Sequence, residues 1–209
     1  MSARDQILER IGTALAPAPP APEVPRAYRV AGTVPRGSPQ LVELFCERVA
    51  EYQATVQRLG DRAALGEAIA AACAERGSRR VVRAPGADWH VDGLELIADS
   101  ADVDPGALDE VDAALTGCAL AIAETGTIVL DGGPLSGRRA LTLVPDHHVC
   151  IVESSQVMAG VPDAIAALSA VVHDGRPITL VSGPSATSDI ELERVEGVHG
   201  PRKLDVLVI

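Results

Sequence analysis

The chain has 209 residues, enough for one domain with a sizeable core, and 47% are hydrophobic while only 2% are aromatic. Such a core rests on Ala, Val, Leu and Ile, which suits small helices on a Val-rich sheet. A formal net charge of −11, from 18 basic and 29 acidic residues, argues against nucleic-acid binding, which needs clustered Lys and Arg.

Residues 2–15 place Ile7, Ile11 and Leu15 at i, i+4 and i+8 behind a Ser2 cap, and predict a helix. Residues 16–39 then turn proline-rich, which removes donors and enforces extended backbone. We read 1–37 as a helix on a semi-rigid arm and 38–209 as the globular domain. A lone striped helix on an arm either frays or packs elsewhere, with a partner or a swapped subunit favoured. Leu41, Val42, Leu44, Phe45, Val49, Tyr52 and Val56 keep helical spacing and predict one long amphipathic helix. Asp61 caps a second helix over 65–75, ended by Gly77. Residues 79–84 and 94–98 read as strands. Asp104-Pro-Gly opens a helix near 105 with Leu108, Val111 and Leu115 inward.

Residues 118–123 read as a buried strand and 128–130 as a short one. Two more, 141–144 and 149–152, are joined through Pro145-Asp-His-His. A helix over 162–172 follows, and the β-branched run 178–181 predicts another buried strand. Gly183 and Pro184 stop it, and Ser185, Thr187, Ser188 and Asp189 are good caps for one short polar helix. Residues 204–209 form the last strand. Strand and helix alternate, so the expected fold is a three-layer α/β domain with a mostly parallel sheet.

No apolar run approaches the roughly 20 residues that cross a bilayer. The opening Met-Ser-Ala-Arg-Asp-Gln does not read as a secretory signal, so no membrane span and a cytoplasmic location are expected. Cys46, Cys73, Cys118 and Cys150 are scattered in apolar neighbourhoods without a Cys-x-x-Cys pair. Buried packing is expected of them, not an iron–sulfur or zinc site of the chain's own. The dinucleotide, P-loop and serine-hydrolase signatures are absent too, and the cofactor is left unknown.

Glu124 stands where an apolar strand ends at a Gly-containing turn, the edge where ligands gather in open α/β sheets. It suits a nucleophile or general base, or else a carboxylate bonding backbone amides across the turn. Thr125 and Thr127 offer hydroxyls, and Gly126 permits close approach of a ligand to the backbone. With Gly183, Ser185, Thr187 and Ser188 they would form a two-loop cradle for a phosphate or carboxylate, over which Arg138 and Arg139 would close. Adjacent histidines on a strand point to opposite faces, so His147 and His148 are poor joint metal ligands, and no metal is expected. One of the pair, and His199 at a Gly-flanked turn, would face the cleft as acid–base or hydrogen-bonding groups, with Asp189 a possible orienter of His199.

Four motifs in order carry a resemblance. They are Ala123-Glu-Thr-Gly-Thr127, Leu143-Val-Pro145 with His147 and His148, Gly183-Pro-Ser-Ala-Thr-Ser-Asp-Ile-Glu191, and Gly197-Val-His-Gly-Pro201. Over residues 38–209 the chain resembles the lactate-utilisation protein C family (the LUD domain). That resemblance implies a fold like the sugar-phosphate isomerase and CoA-transferase superfamily. It implies a role in oxidising L-lactate to pyruvate beside iron–sulfur partner proteins and makes Glu124 a site residue; Glu124 and His199 are the catalytic candidates, acting on a small anionic ligand. Two other readings stay open: a stand-alone transferase or isomerase acting on a CoA thioester or sugar phosphate, and a non-catalytic ligand sensor or scaffold.

Overall fold

Six parallel strands make the central sheet, in the order β1 (Thr55–Arg58), β12 (Lys203–Val208), β7 (His147–Val152), β4 (Ala113–Gly117), β2 (Arg80–Arg83) and β3 (Glu95–Ala98). The computed structural model describes residues 2–16, 22–29, 32–187, 195–196 and 199–209. Strands β7 and β12 are buried almost throughout, as a sheet covered on both faces requires. Their side chains alternate strictly. Cys150, Val152, Leu204, Val206 and Val208 pack with α2 (Pro39–Glu51), while Val149, Ile151 and Leu207 pack with α3 (Leu65–Arg76).

A second, four-stranded sheet lies over the α2 side, in the order β8 (Val157–Met158), β5 (Leu120–Ile122), β6 (Thr127–Leu130) and β9 (Thr179–Val181). Its Ala121, Ile128 and Leu130 face the α2 cluster, while Leu120, Ile122 and Val129 pack on α4 (Val161–Ala167) and α5 (Ser169–His173). A two-stranded ribbon, β10 (Ala186–Thr187) with β11 (Val195–Glu196), completes the topology.

Several elements differ from the sequence reading. The long helix stops at Glu51, Gln53 takes a left-handed φ of 65°, and Val56 belongs to β1 instead. The helix expected from 105 is a 3-10 turn, Pro105–Glu110, and Leu115 lies in the middle of β4. Asp112 is the cause: its carboxylate accepts from the Arg79 and Arg80 amides, pinning the start of β4 to β2. Residues 141–144 hold no strand, because Arg139–Thr142 makes a 3-10 turn. β9 is an edge strand with Leu180 exposed, not a buried one. Ala186 and Thr187 extend into β10 where a helix was expected, and the rest of that helix lies outside the described residues.

The terminal helix, α1 (Ala3–Leu15), forms behind Ser2 and Asp5 in a reciprocal capping box. It buries no residue, and Ile7, Ile11 and Leu15 stay exposed. The arm is clipped down near its end, where the Gly32 amide donates to the Asp163 carboxylate at 3.0 Å.

One buried polar network crosses the α3 face. His147 Nε2 meets Asp205 Oδ2 at 2.6 Å, His147 Nδ1 meets the Ser78 hydroxyl at 3.0 Å, and Arg76 reaches both Asp205 and Thr55. Ser78, His147 and Asp205 are all buried, so the arrangement gives a substrate no access and serves the fold. Burial alone would raise the Asp205 carboxyl, but hydrogen bonds from His147 and Arg76 outweigh it and hold it below its ordinary value. A carboxyl depressed in the folded state stabilises the fold above its unfolded pKa, about 3.9, and that contribution is lost as pH falls through the lower folded value. Asp205→Ala is therefore expected to cost about 3–5 kcal/mol in urea unfolding at pH 7, because it strands His147 and Arg76. Asp205→Asn should flatten the loss of stability below about pH 4. Wild-type acid sensitivity in Asp205→Asn, or a cost under about 1 kcal/mol in the alanine variant, contradicts this account.

Candidate functional site

The pleat of β7 divides the paired histidines. His147 turns into the buried network under α3 and does not line the cleft on the other face, which corrects the expectation that placed it among the binding residues. His148 turns the other way and forms part of the wall of a cleft of about 230 Å³. There its Nε2 meets the Thr116 hydroxyl at 2.7 Å, and the Cys150 thiol of the same strand face lies within hydrogen-bonding reach. Cys73, Cys118 and Cys150 are buried and Cys46 is half-buried, all as free thiols.

The cleft opens at the amino ends of β7 and β12, not at the carboxyl edge that the strand–loop pattern suggested. Arg139, Thr142, His148, Ser185, His199 and Leu204 converge on it, with β9 along one side. Gly183 turns there with φ 79°, and a Cβ on it would lie 2.6 Å from Tyr52, so no other residue fits without displacement. The two loops beside it are stitched together. The His199 amide donates to the Ser185 hydroxyl at 3.0 Å, and the Ser185 amide donates to the Pro201 carbonyl at 2.8 Å.

The two loop arginines take different roles. Arg138 forks onto the buried Asp99 carboxylate at 3.0–3.1 Å and also reaches the Val103 carbonyl, so it is spent on the fold. Arg139 meets no carboxylate among the described residues; its Nη1 donates to the Thr142 hydroxyl at 3.1 Å. Partial burial pulls its guanidinium below the ordinary arginine value. In this acidic chain the described lining of the cleft holds one arginine, two histidines and no Asp or Glu.

Glu124 is elsewhere. Its carboxylate pairs with Arg29 of the arm at 2.6 Å, in a groove that also holds Asp163 and Gly160 and shares no residue with the His148 cleft. The hydrogen bond from Arg29, helped by the Val161 amide at the start of α4, holds Glu124 below its ordinary value. Glu124 and His199 thus do not meet as a catalytic pair. Gly126 has φ 58°, and its α-carbon packs on α2: a Cβ would fall 2.6 Å from the Arg48 carbonyl carbon. The close approach is therefore to a helix, not to a ligand. Thr125 and Thr127 share a hydrogen bond of 2.7 Å, and Thr127 reaches the Ser182 hydroxyl at 2.8 Å beside the cleft. Thr187 enters β10, while Ser188 and Asp189 lie outside the described residues.

A groove of about 290 Å³ at the carboxyl ends of β4 and β7 holds Trp89 and Gly117, but its charges are spent in the pairs Arg62–Glu153 and Arg83–Asp88. Among the described residues no group of three or more His, Cys, Asp or Glu is placed to hold a metal. No described helix is long and apolar enough to cross a membrane. The sequence reading missed Thr142, Leu204 and the Arg29 clamp, since nothing local links residues so far apart. Glu124→Gln should leave the thermal midpoint close to wild type yet speed tryptic cleavage at Arg29 by loosening the arm. Unchanged cleavage would mean that the pair does not hold the arm. Gly126→Ala should destabilise by more than the about 1–2 kcal/mol that left-handed backbone alone costs, read by thermal melting, and a neutral result contradicts the helix-packing role.

The comparisons agree with this architecture. The family model described as the LUD domain matches residues 106–209. A Deinococcus radiodurans protein named Lactate utilization protein C is 44% identical over 90% of this chain and 87% of its own length. A Bacillus pumilus protein of the same name is 38% identical over 42% of this chain and 38% of its own length. A crystal structure described as a DUF162 family protein from Deinococcus radiodurans superposes with a TM-score of 0.70 at 39% identity, covering 84% of this chain and 98% of that one. With a parallel sheet, a shared fold and 44% identity along nearly its whole length, the chain belongs to the LUD-domain family of lactate utilization protein C.

Proposed function

We propose that the protein is a component of an L-lactate utilisation system that oxidises L-lactate to pyruvate. The observation that carries the reading is the 44% identity, across 90% of the chain, to a protein named for lactate utilisation. Electrons from that oxidation would pass to iron–sulfur partner proteins, with all of them in the cytoplasm. The exposed Ile7–Ile11–Leu15 stripe on the 1–37 arm is available to such a partner. This chain's own part is to hold a small anionic ligand in the His148 cleft, where the Arg139 guanidinium, the His199 imidazole and hydroxyls meet with no carboxylate among the described residues. A CoA thioester is less well supported, because about 230 Å³ is small for so large a ligand and Glu124 is held by Arg29.

A strain lacking the gene is expected to stop growing on L-lactate while growing normally on pyruvate. Tagged protein from lactate-grown cells should co-purify with iron–sulfur proteins. Normal lactate growth of the deletion strain would contradict the reading, and purification without any iron-containing protein would remove its partner half.

A further inference from the structure

We infer that the His148 cleft binds a short monocarboxylate carrying oxygen at its second carbon, with Arg139 as the carboxylate anchor. The inference rests on the proposal above only in taking this cleft as the ligand pocket, and deepens it by naming the ligand class.

The sign of the ligand comes from the lining. Arg139 is the one guanidinium in the described wall and meets no carboxylate among the described residues, so that wall carries positive charge inside a chain of net charge −11. The shape comes from the hydrogen bonds. A guanidinium carries five N–H donors in a fixed fork, and among the described residues the hydrogen bonds of Arg139 leave from Nη1, toward Thr142. Thr142 thereby fixes the plane while the Nε and Nη2 edge stays open for a two-pronged carboxylate.

Size and polarity narrow the class. About 230 Å³ lies below the usual range of pockets for drug-sized ligands, so the occupant has few carbons. Leu204, Pro201 and Val181 supply an apolar wall, which suits a short alkyl group and suits a phosphate dianion poorly. The Ser185 hydroxyl accepts from the His199 amide, which leaves its own O–H to donate to a hydroxyl or keto oxygen beside the carboxylate.

The test is isothermal titration calorimetry of the full chain with pyruvate, L-lactate, propionate and inorganic phosphate. Pyruvate or L-lactate should bind more tightly than propionate, and phosphate should give no saturable heat. Arg139→Gln should weaken binding by about ten- to a hundred-fold, the loss of a charge-assisted pair, with Arg139→Lys between the two. Ser185→Ala should erase the preference over propionate while leaving propionate unchanged. Arg139 bonds to the buried Thr142 and Ser185 to the His199 amide, so thermal melts matching wild type are the check that the variants keep the fold. Phosphate binding as tightly as carboxylate, no carboxylate binding, or wild-type affinity in Arg139→Gln overturns the inference. The two claims fail separately. Lost lactate growth with no carboxylate binding sinks this one alone, whereas carboxylate binding with normal growth of the deletion strain sinks the lactate role and leaves the ligand class standing.

Discussion

The pleat of β7 sets the design of the molecule. Successive residues of a strand point to opposite faces, so His147 and His148 cannot serve the same site. His147 is committed to Asp205 and Ser78, locking β7 to β12 and to the segment after α3. That lock fixes the register of β7 against β12, and the same register brings His148 and Leu204 side by side in the wall of the cleft. A one-residue slip would exchange the two faces along the whole strand and set His147 or Val149 at the cleft in place of His148.

The cleft then depends on a division of charge. Most arginines of the structure sit against carboxylates, as expected where acidic residues outnumber basic ones. Arg139 differs from its neighbour Arg138 only in what the fold brings near it: Asp99 comes from the end of β3 to Arg138, and a neutral Thr142 to Arg139. An arginine that is partly desolvated and meets no carboxylate among the described residues is costly unless something anionic occupies its open edge. The net charge of −11 disfavours anions at long range, so recognition must come from short contacts inside the cleft, not from steering.

Much of the fold was legible because its cues are local. Ser2 caps α1, Gly77 ends α3 in a left-handed turn, and the β-branched ends of β7 and β12 read as buried strands. The failures were places where distant groups decided. Asp112 captures two amides of the β2 entry and turns an expected helix into a strand. Gln53 breaks a helical repeat that the apolar spacing would have carried on to Val56. At the site, His148, Ser185 and His199 were legible from their glycine-flanked or strand-edge settings and do come together. Glu124 was drawn toward them by its strand-end position, but its partner is Arg29 in the proline-rich arm, a contact no spacing rule announces. Which of two adjacent arginines faces the cleft was likewise decided by Asp99, 39 residues from Arg138.

The most direct test of the central claim is a crystal structure of the protein grown with pyruvate. The account predicts a carboxylate bidentate on the Arg139 guanidinium, with the keto oxygen toward Ser185 and the methyl group against Leu204. Pyruvate bound instead beside Glu124 or Trp89, with the Arg139 cleft holding only water, would contradict it.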